Sequence, residues 1–496
     1  MTDGSVLRTI GSSSPSYAAP NNLEIVICRH QHHVGISMVS DESDLDVMLG
    51  DPRRAIRRMA LPLIVSFAVV QINSFVDTSW CSGLGADATA GMTTISPIYW
   101  IIAGLGGGIG VGASTLIARH LANGRDKEAS SVAIHALALS LVISLLLIPI
   151  LLFSIRPMMS LMGADDVSDY GFDYMAPIAA MSVFIMTEEV LAGLVRSEGA
   201  ASKSMAMVLS AAFLNMILDP ILIYGLGMGV AGAGLATALS SVLSCSIGIA
   251  WYVRGRMAVH IRFRGFQADR SISKGILGVG IPRATESIVV NGMSMVERYF
   301  VIVCAGSFGS ALFSIPWRFV MIACVVSMAI AAAIVPVCSA AFGQNDPAKA
   351  REAYLYGTRL CTTIILAMTV FMFVFAEWCV VPFTMSETML PHRGEFADVL
   401  RLYCVFMPFM GLLDTGSALL QSMRMASVSM WSSLLRNIII VILFAALCHT
   451  DLYLMFAGMA AAEVFGGLLN AWLAGHGFYT KTRMRMWPGR RSEASV

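Results

Sequence analysis

Long runs of apolar residues recur along the chain and are separated by short polar segments. A helix needs about 20 mainly apolar residues to cross a hydrocarbon core of ~30 Å, and twelve of the runs are long enough to do so. The pattern therefore predicts an all-α polytopic membrane protein with twelve transmembrane helices. The predicted spans are residues 60–81, 93–117, 132–154, 173–194, 204–225, 231–253, 277–303, 311–335, 357–378, 398–420, 428–448 and 452–473.

The amino-acid composition agrees with a membrane protein. Of the 496 residues, 56% are hydrophobic and 13% are charged, whereas soluble domains are about 25% charged. These values exclude an ordinary soluble enzyme, a disordered chain and a disulfide-rich secreted module. The net charge of +1 gives no sign of a nucleic-acid partner, and the ten cysteines are scattered without the spacing of a disulfide framework or a zinc site.

The second half of the chain repeats features of the first half. Ala60-Leu61-Pro62 corresponds to Gly280-Ile281-Pro282, Asp77 to Glu297, and Asn215 to Asn437. Each half holds six predicted spans, so the two halves have the same orientation and form a parallel repeat. The repeat predicts two six-helix lobes, which is an arrangement typical of transporters.

The repeat and the charge pattern also predict domain boundaries and orientation. The predicted segments are a polar, disordered tail (1–52), an N-lobe (53–253), a basic linker (254–274), a C-lobe (275–480) and a basic tail (481–496). Basic residues are concentrated in the loops on the side of both chain ends, whereas the opposite loops carry only Arg156 and Arg393. By the positive-inside rule, we expect a multi-pass protein of the cell membrane with both termini in the cytoplasm.

Polar residues inside the predicted spans are the candidates for function, because such residues are costly in hydrocarbon. Asp77 follows Asn73 by four residues and Asp219 follows Asn215 by four, so each pair shares one helix face. At ~1.5 Å per residue, Asp77, Asp219 and Thr237 reach a similar depth in the outer half of the N-lobe. Their oxygen atoms suit Na⁺, or a proton shared between the carboxyl groups. A hydrogen-bonded helix clamp without a coupling role is the alternative.

Further polar residues are supporting or substrate-cavity candidates. They are Gln71, Asn73, Glu286, Asn291, Glu297 and Asp414. Asp414 lies deep in the tenth span without a local charge partner, so substrate contact or a second ion site is predicted there. Glu286 follows Arg283 by three residues and Glu297 precedes Arg298, so a structural ion pair is an alternative for each glutamate.

The glycine run from Gly104 to Gly112 has no context of a nucleotide-binding loop. It lies inside a span, follows no predicted strand and contains no Gly-Lys-Ser/Thr. Gly104, Gly108 and Gly112 instead form a small-residue ridge that predicts close helix packing. Signatures of hydrolases and nucleotide-binding enzymes are missing from the sequence, so we expect a transporter without a cofactor that is driven by an ion gradient, and not an enzyme.

These motifs resemble the multidrug and toxic compound extrusion (MATE) family over residues 51–480. The matching segments are Gly50-Asp51-Pro52, Ala60-Leu61-Pro62, Asn73 to Asp77, Arg196-Ser197-Glu198-Gly199, Asn215-x3-Asp219-Pro220 and Gly232 to Thr237. The spacing of Asn215, Asp219 and Thr237 is similar to the cation site of the DinF-type branch. Asp414 resembles the tenth-helix aspartate of the NorM-type branch, whose seventh-helix glutamate is not matched in the neighbourhood of Asn291.

The resemblance implies a monomer of two six-helix lobes that works by alternating access. It implies export of amphipathic, often cationic small molecules across the lipid bilayer in exchange for H⁺ or Na⁺. The coupling residues, which are also the Na⁺ ligands if sodium is the ion, would be Asp77, Asn215, Asp219 and Thr237, with bending near Pro62 or Pro220. Two alternatives remain, namely a lipid-linked oligosaccharide flippase of the same superfamily and a non-transporting membrane receptor.

Overall fold

The computed structural model describes residues 43–261, 267–385 and 389–486, apart from the side chain of Ser307. Within these ranges, eleven helices are long and apolar enough to cross a membrane, and a bent pair forms a twelfth span when it is counted as one. The spans are α1 (Pro52–Ser82), α2 (Ala86–Ala122), α3 (Asp126–Leu161), α4 (Asp165–Ala180 with Ser182–Ser197), α5 (Ala201–Gly225), α6 (Val230–Val253), α7 (Arg270–Gly306), α8 (Phe308–Gly343), α9 (Pro347–Val374), α10 (Leu390–Ser422), α11 (Ala426–Leu447) and α12 (Leu452–Thr482). Each predicted run overlaps one of them, and the predicted fold class is confirmed.

Local sequence explains where several of these helices begin and end. Asp51 caps α1, because its carboxylate accepts hydrogen bonds from the backbone N–H groups of Arg53 and Arg54, and Pro52 takes the first helical position, where no N–H is needed. α7 and α8 are joined by a tight turn at Gly306, whose φ of +61° is readily adopted only by glycine. α8 therefore begins at Phe308, almost directly after the end of α7.

In the part of the chain that the structure describes, α4 is the span that consists of a sharply bent helix pair, with an angle of 58° between its two helices. Pro177 lies four residues before the break at Met181, and it has no N–H to donate to the preceding turn. Pro177 also faces α6 at Gly234, where a Cβ would lie 2.9 Å from the proline ring and 2.0 Å from the carbonyl oxygen of Tyr174. The bend and the glycine together bring α6 into backbone contact with α4.

The predicted disordered tail, 1–52, lies mainly outside the described residues. Its last part is helical, since Asp44–Leu49 form a short helix with Val47 and Met48 buried. This helix lies against Gly199, where a Cβ would be 2.4 Å from the carbonyl oxygen of Asp44. The central linker and the C-terminal tail are described only in part, and the domain boundaries stay predictions.

We call α1–α6 the N-lobe and α7–α12 the C-lobe, and the two lobes meet along α2 and α7. The close approaches pair Gly104 with Ser287, Gly108 with Gly280 and Gly112 with Ile276. A Cβ on Gly108 would lie 2.5 Å from the carbonyl oxygen of Gly280, so the two backbones touch. Near the end of α2, Arg119 donates to the carbonyl oxygen of Ser422 at the end of α10. This seam runs from the middle of α2 to the side where α1 begins and α12 ends, which we call the termini side.

Candidate functional site

A polar cluster lies inside the N-lobe where α1, α5 and α6 meet. Small residues allow this meeting: a Cβ on Gly232 would lie 2.8 Å from the carbonyl carbon of Leu222, so α6 packs directly on the end of α5. The i,i+4 spacing places Asn73 and Asp77 on the face of α1 that packs on α5. The cluster thus combines side chains from three helices.

The amide of Asn215 is at the centre of the cluster. Asn73 Nδ2 donates to Asn215 Oδ1 across 2.7 Å, and Asn215 Nδ2 lies 3.4 Å from Thr237 Oγ1 and 3.5 Å from Asp219 Oδ1. When the Asn215 amide is rotated by 180°, its nitrogen donates to Asp77 Oδ1 across 2.7 Å and its oxygen accepts from the backbone N–H of Thr237 across 3.2 Å. One amide therefore offers either a donor or an acceptor to the two carboxyl groups.

The two carboxyl groups of the cluster face each other from α1 and α5. Asp219 is 0% exposed, Asn215 is 2% and Asp77 is 9%. The Asp77 and Asp219 side chains are near enough to act on each other electrostatically. Asp219 Oδ2 has no hydrogen-bond partner among the described residues. A buried carboxylate oxygen without a partner is costly, so this cluster is suited to hold one small cation.

The helix that carries Asp219 changes its form directly after it. Pro220 ends the regular part of α5, and Ile221–Gly225 form a π-helical turn. Because Pro220 has no N–H, it cannot close the hydrogen bond to the carbonyl oxygen of Met216. A local departure of this kind often marks a functional part of a helix. Pro62 lies inside α1, where its carbonyl oxygen accepts from Ser66 Oγ across 2.9 Å.

An aromatic contact that the sequence did not predict joins the outer ends of α1 and α5. Tyr224 Oη donates to the carbonyl oxygen of Trp80 across 2.5 Å, and the two rings meet edge to face with centroids 6.1 Å apart. Gly83 leaves room for this tyrosine, since a Cβ there would lie 2.3 Å from Tyr224 Oη. The contact lies on the outer side of Asp77 along α1. Gly83, three residues after Trp80, was a signal in the sequence that a side chain packs closely there.

The supporting candidates outside this cluster are dispersed. Gln71 is half-buried and forms no hydrogen bond with the other described residues. Asn291 donates to the carbonyl oxygen of Ser287 in its own helix, at 2.8 Å. Glu286 pairs with Arg283 across 3.2 Å, which agrees with the structural alternative for this glutamate.

The C-lobe contains a second, different polar interior. Asp414 accepts a hydrogen bond from Ser327 on α8. Arg436 on α11 donates to Glu463 on α12 across 2.7 Å, and both side chains are 6% exposed. Glu297 is buried, and its strongest charged neighbours are Glu463 and Arg436 rather than the adjacent Arg298. The Arg436–Glu463 pairing was not predicted from the sequence, because the two partners lie 27 positions apart on different helices.

Comparison with known protein families agrees with the internal repeat and with the two-lobe architecture. The MatE family model matches residues 62–221 and 282–447, which is once in each lobe. The multidrug export protein MepA of Staphylococcus aureus is 26% identical over 297 residues, which cover 59% of this chain and 65% of MepA. The match thus spans slightly less than two thirds of the length of MepA. The FAD transporter of Shewanella oneidensis is 25% identical over 405 residues, covering 79% of this chain and 87% of that protein.

A solved structure has the same fold over almost the whole chain. It is described as the outward-facing conformation of a multidrug resistance MATE family transporter of the MOP superfamily, with a TM-score of 0.84 and 28% sequence identity, and the match covers 90% of this chain and 100% of that one. The two matches to the family model together cover more than half of the chain. The chain therefore belongs to the MatE family of multidrug and toxic compound extrusion transporters, a family of multi-pass membrane transporters and not of enzymes.

Proposed function

We propose that the protein is an antiporter that exports amphipathic, cationic small molecules in exchange for H⁺ or Na⁺. The coupling residues in this proposal are Asp77, Asn215, Asp219 and Thr237. One observation carries it: the carboxyl groups of Asp77 and Asp219 face each other in a buried cluster, and Asp219 Oδ2 lacks a hydrogen-bond partner among the described residues. Two ionised carboxyl groups at this distance from water repel each other strongly, and a cation between them removes the repulsion.

Either ion suits the chemistry of the cluster. Na⁺ prefers hard oxygen ligands, and two carboxylates, the Asn215 amide oxygen and the Thr237 hydroxyl supply them. A proton would instead be shared between the two carboxyl groups. In both cases the charge that enters the cluster is the same, so the choice of ion is left to experiment.

Ion binding supports exchange through the packing of α1 on α5. Without an ion, repulsion between Asp77 and Asp219 favours separation of the two helices, and with an ion the helices close. An ion drives this change only to the extent that its affinity differs between the two states. We propose Pro62 and Pro220 as the positions where α1 and α5 bend. The seam between Gly108 and Gly280 closes the termini side, which agrees with a state open to the opposite side.

The membrane orientation, the family branch and the oligomeric state belong to the same proposal. Basic residues are concentrated in the termini-side loops, which supports cytoplasmic termini in the cell membrane. The spacing of Asn215, Asp219 and Thr237 supports the DinF-type branch. We expect the protein to work as a monomer, because each chain holds a full pair of lobes.

The test is transport by purified protein in proteoliposomes. Uptake of a cationic dye is followed under an imposed pH gradient and then under an imposed Na⁺ gradient. Transport under one gradient only identifies the coupling ion. Asp219→Asn should abolish gradient-driven uptake, because the amide cannot bind a proton or replace the second negative charge.

The matched control is Asp169→Asn, the same substitution at an aspartate whose side chain is 82% exposed and pairs with Arg156 at 2.9 Å. This variant should transport like the wild type. Full gradient-driven transport by Asp219→Asn would overturn the assignment of the coupling site. Dye transport that is independent of both the pH gradient and the Na⁺ gradient would overturn the proposal of antiport.

A second candidate substrate class is a planar anion such as a dinucleotide. Arg318 on α8 lies over the ring of Phe75 on α1, with the guanidinium carbon 4.8 Å from the ring centroid. Arg298 is near enough to Arg318 to act on it electrostatically, so two positive charges and an aromatic ring meet between the lobes. This favours an aromatic anion, and one relative is named as an FAD transporter. Transport of FAD, lost in Arg318→Gln while dye transport stays, would support this candidate.

A further inference from the structure

The internal repeat allows the N-lobe cluster to be compared with the same place in the C-lobe. Asn215 corresponds to Asn437, a spacing of 222 residues. The same spacing carries Asp219 to Val441 and Thr237 to Met459. Both replacements are apolar, so the C-lobe lacks the second carboxylate and the hydroxyl at these positions. Only the first carboxylate is kept, as Glu297 in place of Asp77.

The C-lobe has a positive charge where these ligands are missing. Arg436 directly precedes Asn437 on α11, and its Nη1 donates to Glu463 Oε2 on α12 across 2.7 Å. The fold is shaped around this arginine: a Cβ on Gly466, one turn after Glu463, would lie 2.5 Å from Arg436 Cδ. Gly466 leaves space for the methylene groups of Arg436, and Glu463 binds its guanidinium group. α12 thus forms a binding site for one guanidinium.

Glu297 belongs to the same group of charges. Its side chain is 8% exposed, and Arg436 interacts electrostatically with Glu463 and Glu297 together. In the C-lobe, Glu463 of α12 thus forms a hydrogen-bonded ion pair with the buried guanidinium, and Glu297 of α7 acts on the same charge electrostatically. In the N-lobe, by contrast, the carboxyl groups of Asp77 on α1 and Asp219 on α5 lie together without a basic side chain from the described residues between them.

We propose that the guanidinium of Arg436 is a built-in cation, which takes the role in the C-lobe that the exchangeable ion has in the N-lobe. An arginine side chain keeps its proton in proteins and cannot leave. The C-lobe is then permanently in the loaded state and closed to coupling ions, and only the N-lobe cluster responds to the ion gradient. This inference rests on the proposed function, since it takes the N-lobe cluster as the exchangeable site.

The other charged and titratable groups of this region define what the test has to control. Those that act on Glu297, Arg436 or Asp414 from the packed helices are Arg283, Glu286, Arg298, Tyr403 and Glu463. All of them stay unchanged in the variants below except Glu463. A new cation effect can therefore be assigned to the position of Arg436.

The experiment measures the Tm of the purified full chain in detergent. NaCl is titrated against choline chloride at constant ionic strength, and the series is repeated across the neutral pH range. We expect Asp219→Asn to lose the cation-dependent rise in Tm of the wild type. Asp219→Asn combined with Arg436→Gln should regain such a rise, since Glu463 and Glu297 are then left with a vacant cation position. Adding Glu463→Gln should remove it again.

Two results would overturn the proposal. One is a saturable cation effect that survives in Asp219→Asn and disappears when Glu463→Gln is added, because the C-lobe would then bind an exchangeable ion beside Arg436. The other is a folded Asp219→Asn/Arg436→Gln protein without any cation effect. If that protein does not fold, the first comparison still decides, and Arg436→Lys, which keeps a tethered charge, should behave like the wild type. A wild type whose Tm responds neither to NaCl nor to pH would instead refute the N-lobe coupling site.

Discussion

Asn73 Nδ2 donates to Asn215 Oδ1 across 2.7 Å and so links α1 to α5 at the level of the two facing carboxyl groups. The same Asn215 amide reaches Asp219, Thr237 and, in its other orientation, Asp77. A single side chain thus contacts every other member of the cluster. Its loss should disturb ion binding more than the loss of any one hydrogen bond would.

We predict that Asn215→Ala lowers the apparent affinity for the coupling ion at least tenfold, because removing a buried amide that serves charged partners costs about 1.5–3 kcal/mol. The maximal transport rate at saturating ion should change less. The measurement is dye uptake in proteoliposomes as a function of the ion concentration. The matched control is Asn437→Ala in the C-lobe, where the Asn437 amide donates to the carbonyl oxygen of Ser433 in its own helix across 2.7 Å. Equal effects of the two substitutions would contradict the assignment.

A second prediction concerns the seam between the lobes. Gly108→Ala places a Cβ 2.5 Å from the carbonyl oxygen of Gly280, whereas Gly107→Ala places one 3.8 Å from Glu189 Oε2. Overpacking costs about 1–3 kcal/mol, so Gly108→Ala should shift the lobes away from the state closed on the termini side by about tenfold. Both substitutions change helix propensity equally, which makes Gly107→Ala the control.

The shift can be measured by cysteine labelling. Ser287→Cys, opposite Gly104 in the seam, is introduced into a chain whose native cysteines are replaced, and a maleimide is added from the termini side. Labelling should be faster with Gly108→Ala than with Gly107→Ala. The same labelling rate in both would show that the seam does not govern access from this side.

A third prediction concerns the break in α5. Pro220→Ala restores an N–H that can donate to the carbonyl oxygen of Met216, so the π-helical turn Ile221–Gly225 should become regular helix. Amide hydrogen exchange should then slow in residues 221–229, and transport should fall while dye binding is kept. The control is Pro149→Ala, at an exposed proline inside α3. Unchanged transport by Pro220→Ala would refute bending at this position.

The sequence predicts the spans well because hydropathy is a local property. The ends are less well predicted: α3 runs over Asp126–Leu161, whereas the pattern gives 132–154, since the first and last turns carry polar residues at the bilayer surface. The 58° bend of α4 is not visible in hydropathy. It arises from Pro177 together with the approach of α6 at Gly234, which is a tertiary contact.

In the candidate site too, some features follow from local sequence and others depend on tertiary contacts. The meeting of Asn73, Asp77, Asn215 and Asp219 is predictable, because i,i+4 spacing sets the face and the rise per residue sets the depth. The Arg436–Glu463 pair is not predictable in this way, since it depends on the rotation of two helices about their own axes. A buried charge always needs a partner, however, so an arginine inside an apolar run was a signal that a second charge lies nearby.

The fourth prediction concerns the linker between the lobes, which Glu198 holds against the N-lobe. Glu198 Oε2 accepts from the backbone N–H groups of Ala258 and Val259 at 2.5 and 3.1 Å, and Oε1 accepts from Tyr252 Oη at 2.9 Å. Glu198 lies between α4 and α5 and is 3% exposed. Burial raises the pKa of Glu198 from 4.5 to about 7, against the opposing effect of these hydrogen bonds.

The sign of the pH effect follows from linkage. Between pH 4.5 and about 7 the folded chain holds a proton on Glu198 that the unfolded chain has released, so the stability due to this group is full below that window and is lost as the pH rises through it. The total is about 3 kcal/mol, since one pKa unit corresponds to 1.36 kcal/mol. Glu198→Gln should flatten the fall of Tm between acidic and neutral pH, whereas Glu128→Gln, at an exposed glutamate of α3, should not. If the Tm of Glu198→Gln falls with pH as steeply as that of the wild type, another group causes the pH dependence. The contact of Glu198 with the linker is then independent of pH.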